Sequence, residues 1–238
     1  MARARFDTRG KQLMADFVSC LVTLISGKDW HGQEHLPKDG SFIAVSNHVS
    51  YVDPTTLAQY LYLNGYIPHF LAKAPLFDVP VVGTFLRAFG QIPVHRGTLR
   101  AKEAVDKGLE VLSGGGVIAM FPEGTLTRDP ELWPMVPRTG VARMALATKV
   151  PVIPIVQWGV HRILAPYGKM LWIIPRKKVT MVAGPAIDLS EFYDRPLDTD
   201  TLRAASDRIM DTLTAMLEEI RGEKAPEVRY DMRRKDPA

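Results

Sequence analysis

Two short segments carry residue types whose spacing could do chemistry. The first is Ser46-Asn47-His48-Val49-Ser50-Tyr51-Val52-Asp53-Pro54. A histidine titrates near working pH and can serve as a general base. Asp53 stands five residues further on. On a continuous helix that separation puts two side chains about 140° apart, on different faces. They meet only if the chain between them turns. Asp53-Pro54 has the form of an N-cap followed by proline at the first helical position, so a helix is expected to begin after Asp53. The residues between then form a loop that can fold His48 back onto the Asp53 carboxylate. A carboxylate paired with one imidazole nitrogen fixes the tautomer and leaves the other nitrogen to take a proton. A plainer reading stays open at this point, with Asp53 as a helix cap only and His48 as a loop residue.

The second segment is Phe121-Pro122-Glu123-Gly124-Thr125. It places an acid in a tight turn beside a glycine that lets backbone approach a ligand. Its plain alternative is a turn that ends a strand. Other chemistries fit less well. His31, His35, His48, His69, His95 and His161 are scattered without zinc-site spacing, so no metal is expected. No Gly-x-Ser-x-Gly nucleophile elbow occurs. Gly114-Gly115-Gly116 lacks the Lys-Ser/Thr of a phosphate loop and reads as a helix end and turn. The single cysteine, Cys20, excludes a disulfide scaffold and a multi-cysteine metal site. It lies in an apolar helical stretch and is expected to be a small buried hydrophobe.

Both segments need elements to position them. Alternating strands and helices are read along most of the chain. Apolar runs predict strands at 42–45, 70–72, 92–94, 117–121, 152–156 (interrupted by Pro154), 171–174 and 179–182. Helical spacing covers 5–26, 55–63, 80–88, 99–112, 141–149 and 199–221. The expected fold is α/β: a single domain with a mixed, largely parallel central sheet flanked by helices, preceded by an N-terminal amphipathic helical segment. The segments are 1–28 for that helix, 29–221 for the domain and 222–238 for a polar, flexible tail. In an open α/β sheet, ligands bind beyond the carboxyl ends of the strands. The two chemical segments follow the strands at 42–45 and 117–121, where that rule puts a site.

With 46% hydrophobic and 24% charged residues, the chain has material for a sizeable core, which excludes general disorder. The uncharged stretch from Phe17 to Gly27 is too short to span a membrane, and the one from Pro54 to Ala72 is interrupted by polar residues. No signal peptide is read. The formal charge of +4 leaves nucleic acid, anionic lipid and phosphorylated metabolites open as partners. Positive residues cluster at Arg3, Arg5, Arg9 and Lys11, at Arg176-Lys177-Lys178 and at Arg233-Arg234-Lys235.

Asn47-His48-x-x-x-x-Asp53 followed by Phe121-Pro122-Glu123-Gly124-Thr125 resembles the glycerolipid acyltransferase superfamily, and more narrowly the bacterial 1-acylglycerol-3-phosphate acyltransferases. Gly90-Gln91-Ile92-Pro93-Val94-His95-Arg96 and Val150-Pro151-Val152-Ile153-Pro154-Ile155 resemble two further blocks of that family, in the same order. The resemblance implies acyl transfer from a thioester, carried by acyl-CoA or acyl-carrier protein, to the free hydroxyl of lysophosphatidic acid or a related lysolipid. It implies no cofactor and no nucleic acid. His48 would be the base and Asp53 its partner. Arg96, Glu123, Gly124 and Thr125 would hold the glycerol phosphate, the arginine on the phosphate and the carboxylate on a hydroxyl. Lys73, Arg128 and Arg138 are further candidates for the phosphate, Arg138 standing where similar proteins often carry lysine. Such an acceptor lives in a membrane. The expected placement is therefore peripheral, on the cytoplasmic face, with the N-terminal helix on an anionic surface. Another lysolipid or a glycolipid is the alternative acceptor. A non-catalytic lipid-binding protein is the alternative of another class.

Overall fold

A computed structural model describes residues 3–95 and 101–232. Helix α1 (Arg9–Ile25) leads directly into strand β1 (Ser26–His31). Then follow β2 (Phe42–Val45), α2 (Asp53–Leu63), β3 (Pro68–Lys73), α3 (Val82–Ala88), β4 (Ile92–Val94) and α4 (Ala101–Ser113). The second half contributes β5 (Val117–Met120), α5 (Gly140–Thr148), β6 (Val152–Trp158), β7 (Lys177–Ala183) and α6 (Thr199–Arg221).

The strands form one sheet in the order β1-β7-β6-β2-β5-β3-β4. Every neighbouring pair is parallel except β6 with β7. This is the mixed, largely parallel sheet expected from the sequence. Its pleat sorts side chains onto two faces. Ile43, Val45, Ile118, Val152 and Val156 join α4, α5 and α6 in one core. Phe42, Ala44, Ala119, Ile153 and Ile155 join Leu57, Tyr60 and Leu61 of α2 in the other. All four residues of β2 are buried because both faces are covered. Each large apolar side chain so buried stabilises the fold by roughly 1.5–3 kcal/mol relative to exposure.

Helix α1 is tied to α2 by a row of polar side chains. Gln12, Asp16, Ser19 and Thr23 recur at helical spacing, and they face α2. Gln59 Nε2 donates to the Ser19 carbonyl at 2.6 Å and to Thr23 Oγ1 at 2.8 Å. The Tyr62 hydroxyl donates to Asp16 at 2.6 Å and accepts from Gln12. On another side, Leu13, Phe17, Leu21 and Leu24 form an apolar row that is exposed along the whole helix.

Several expectations are corrected. Strand β1, Ser-Gly-Lys-Asp-Trp-His, was not among those expected; it offers little apolar pattern and exists by pairing with β7. Residues 171–174 form no strand and lie exposed. Cys20 is exposed rather than buried, since it lies on the outward side of α1, whose buried residues are its neighbours Ser19 and Val22. Residues 222–232 do not trail free: Val136 N–H donates to the Tyr230 carbonyl at 3.0 Å, and Arg229 pairs with Asp207 at 3.6 Å and with Asp211. The cluster Arg233-Arg234-Lys235 lies outside the described residues.

Candidate active site

Strands β6, β2, β5, β3 and β4 run parallel, so their carboxyl ends lie along one edge of the sheet. The loop after β2 carries His48. The turn after β5 carries Glu123, Gly124 and Thr125. Gln157 lies near the end of β6, and Lys73 closes β3. Arg96, soon after β4, lies outside the described residues.

The loop after β2 does fold back. His48 Nδ1 lies 3.0 Å from Asp53 Oδ2. The same oxygen accepts the backbone N–H of Val49 at 2.6 Å and of Ser50 at 2.7 Å. One carboxylate oxygen therefore turns the loop and holds the imidazole. An ionised carboxylate only accepts, so Nδ1 carries the proton and Nε2 is left as the basic atom. Asp53 opens α2 itself, one residue earlier than expected. It is fully buried, whereas 14% of the His48 side chain is exposed. Burial raises the Asp53 carboxyl above its usual range, against the pull of His48, Ser50 and Val49. The ring of Phe121 stacks on the imidazole at 4.1 Å between centroids, fixing its other face.

Sequence reasoning missed Gln157, which is wholly buried behind this pair. Its backbone N–H donates to Asn47 Oδ1 and its carbonyl accepts from Asn47 Nδ2, both at 2.9 Å. Its side-chain oxygen accepts from Thr56 Oγ1 at 2.7 Å, and its amide nitrogen lies 3.3 Å from Ser46 Oγ. The only hint in the sequence is a polar residue near the end of the apolar run Val152 to Val156.

Glu123 sits differently from the expectation. It is buried, and both of its oxygens accept backbone donors: Oε1 from His48 at 3.2 Å and Oε2 from Met135 at 3.1 Å. It does not line the cavity described below. A carboxyl group so placed holds the chain at His48 rather than a substrate hydroxyl. Burial, more than its donors can offset, pushes its pKa up to about 8.

Gly124 adopts φ +72°, and a Cβ there would meet Arg138 Cδ at 2.9 Å. The left-handed turn thus requires glycine, and any side chain there would also displace the arginine laid across it. Arg138 is anchored by its own N–H, which donates to the Pro122 carbonyl at 2.9 Å. Lys73, Thr125 and Arg138 all line the cavity with Gly124. Arg128 does not; its side chain is exposed.

His48 opens into a cavity of about 960 Å³. Its walls are mainly apolar: Phe6, Ala15 and Val18 from the N-terminal segment, Pro54 and Ala58 from α2, Phe85 and Phe89 around α3. A base in the wall of a large, mainly apolar cavity, with the exposed cations Lys73 and Arg138 beside it, suits a ligand that is part hydrocarbon and part anion. No described helix is long and apolar enough to cross a membrane.

Known proteins resemble this chain in sequence and in fold. The family model described as Acyltransferase matches residues 29–158. A chloroplastic 1-acyl-sn-glycerol-3-phosphate acyltransferase of Brassica napus is 33% identical over 138 residues, covering 57% of this chain and 38% of that protein. The 1-acyl-sn-glycerol-3-phosphate acyltransferase of Bacillus subtilis is 26% identical over 186 residues, covering 76% and 84%. The crystal structure of a 1-acyl-sn-glycerophosphate acyltransferase from Thermotoga maritima superposes with a TM-score of 0.67 over 93% of this chain and 86% of that one, at 23% identity. It shares the fold.

Proposed function

The chain belongs to the acyltransferase family, and on that premise we propose that it transfers a fatty acyl group from a thioester to the free hydroxyl of 1-acylglycerol-3-phosphate, giving phosphatidic acid. One observation carries the reading: the His48–Asp53 pair, 3.0 Å apart, opens into an apolar cavity rimmed by Lys73 and Arg138. The names of the relatives support the choice of acceptor.

The chemistry follows from the pair. His48 Nε2 removes the proton of the acceptor hydroxyl as its oxygen attacks the thioester carbonyl. The imidazolium so formed is stabilised by the Asp53 carboxylate. Collapse of the tetrahedral adduct expels the thiolate, which takes the proton back from His48. No covalent enzyme intermediate and no cofactor are needed, because a thioester is already activated. Lys73, Arg138 and Arg96 are the proposed phosphate partners, and either coenzyme A or acyl-carrier protein serves as the thiol carrier. The outward apolar row of α1, with Arg9 and Lys11 at its start, suits a peripheral position on the anionic cytoplasmic face of a membrane.

The test is release of free thiol from an acyl-CoA in detergent micelles with lysophosphatidic acid. Release that depends on the acceptor and is lost in His48→Ala, with folding kept, is the expected result. Release that is equal in the variant would remove the mechanism, and none with either carrier would remove the activity.

A further inference from the structure

The run Met170-Leu171-Trp172-Ile173-Ile174, expected as a strand, stands on the surface. Every residue from Lys169 to Arg176 is exposed, Ile174 by 83%. Five consecutive large apolar side chains facing water mark a surface that meets something apolar. The segment is tied at both ends. Trp172 N–H donates to the Ile163 carbonyl at 2.7 Å, and the Arg176 guanidinium donates to the Ser26 carbonyl at 2.7 Å.

Two observations say what covers it. The first is charge. Lys169, Arg176, Lys177 and Lys178 flank the apolar run in the chain, and the strand paired beside Lys177 and Lys178 brings Lys28. Asp29, paired with Lys178 at 3.0 Å, is the acid on that strand. Apolar residues backed by cations match an anionic bilayer, whose acyl region lies beneath a layer of phosphates. A tryptophan in the run suits the boundary between the two. The second is position. Ser26, which accepts from Arg176, immediately follows α1 and its exposed apolar row. At the other end, Tyr167 lines the cavity and packs edge-on to Tyr51 at 6.3 Å. The run therefore links the mouth of the cavity to the end of α1.

We propose that residues 169–176 form a lipid-docking loop, with Leu171, Trp172 and Ile174 entering an anionic bilayer and Lys169 and Arg176 on its phosphates. With α1 it makes a second point of attachment, and two points fix how the cavity mouth faces the membrane. The inference rests on the reading of a membrane-borne acceptor, yet its test needs no turnover.

The full chain is titrated with phosphatidylcholine vesicles with and without phosphatidylglycerol, in the absence of substrate. Binding is expected with the anionic lipid. Leu171→Ser/Trp172→Ser/Ile174→Ser is expected to weaken it at least about tenfold, and Lys169→Gln by about fivefold only when phosphatidylglycerol is present. A second variant guards against misfolding. Lipid with brominated acyl chains is expected to quench tryptophan emission of the parent, and Trp172→Phe, still bound, is expected to lose most of that quenching. Unchanged affinity of the triple variant, or unchanged quenching in Trp172→Phe, overturns the loop assignment. So does a parent that is dimeric without lipid and becomes monomeric in the triple variant, which would give the patch to a second copy. Failure of thiol release in detergent would sink the acyl-transfer reading and leave this result standing.

Discussion

Glu123 Oε1 accepts the backbone N–H of His48 at 3.2 Å. The acid of one segment thus holds the main chain of the base in the other, while Asp53 holds its ring. Two buried carboxyls stand on either side of one histidine, one gripping through backbone and one through Nδ1. The division lies in their partners: Asp53 has an ionisable one, and Glu123 has only backbone donors.

That difference predicts how stability depends on pH. The Glu123 carboxyl has a pKa of about 8 in the fold, against 4.5 in its ordinary state. Between these values the folded chain binds more protons than the unfolded one, so stability is greatest below the lower value and falls as pH rises through the window. The raised carboxyl of Asp53 acts in the same direction. Urea unfolding across this range is expected to show falling midpoints. Glu123→Gln, neutral at every pH, is expected to flatten the slope without abolishing it. A slope identical in the variant would mean that Glu123 is ionised in the fold.

The His48–Asp53 pair makes a kinetic prediction. Asp53→Asn keeps the size of the side chain but cannot stabilise an imidazolium as a carboxylate does. Turnover is expected to fall by about 10²–10⁴-fold, with KM for the acceptor little changed. A fall in affinity at constant turnover would place Asp53 in binding instead.

Gln157 predicts a coupled loss. It is wholly buried and bonded to Ser46, Asn47 and Thr56. Gln157→Leu leaves Thr56 and Ser46 without these partners, at an expected cost of about 2–3 kcal/mol in denaturant unfolding. The same variant is expected to lower kcat, because the loop that carries His48 hangs from this network. Normal stability with normal turnover would show that the network is dispensable.

The sequence revealed different parts of this unevenly, for physical reasons. Strands β2 and β5 are buried on both faces, so Phe42 to Val45 and Val117 to Met120 read as continuous apolar runs. The strand-end rule then placed both chemical segments. Local chemistry also predicted the turn between His48 and Asp53. Strand β1 was illegible, because its pairing with β7 is long-range and its side chains carry little pattern. Leu171 to Ile174 misled because a run of apolar residues reports hydrophobicity and not what covers it. The family resemblance gives Glu123 to a substrate; only the fold shows its oxygens taken by His48 and Met135.

Gly124→Ala tests the turn beneath Arg138. The left-handed backbone there costs a non-glycine residue about 1–2 kcal/mol, and the new methyl would press on Arg138 Cδ from 2.9 Å. Stability is expected to fall by about that amount, measured by thermal unfolding. KM for a phosphate-bearing acceptor is expected to rise as the guanidinium moves. An unchanged KM would remove Arg138 from the phosphate site.

The exposed apolar row of α1 predicts an effect opposite to the usual rule for apolar residues. Replacing a leucine or phenylalanine by serine ordinarily destabilises a fold, because the side chain leaves a core. Phe17 and Leu21 already face water, and the bonds that hold α1 run instead through Gln12, Asp16, Ser19 and Thr23. Phe17→Ser/Leu21→Ser is therefore expected to leave the unfolding free energy within about 0.5 kcal/mol of the parent, yet to weaken binding to anionic vesicles. Gln59→Leu is expected to do the reverse of the first effect. It strips the donor shared by Ser19 and Thr23 and loosens α1 while leaving the outward row intact. Because Ala15 and Val18 of α1 also form cavity wall, that loosening is expected to reduce turnover in detergent, where Phe17→Ser/Leu21→Ser turns over normally. If the Phe17/Leu21 variant instead lost stability and kept its vesicle binding, the outward row would belong to a packing surface within the protein, and α1 would have no claim on the membrane.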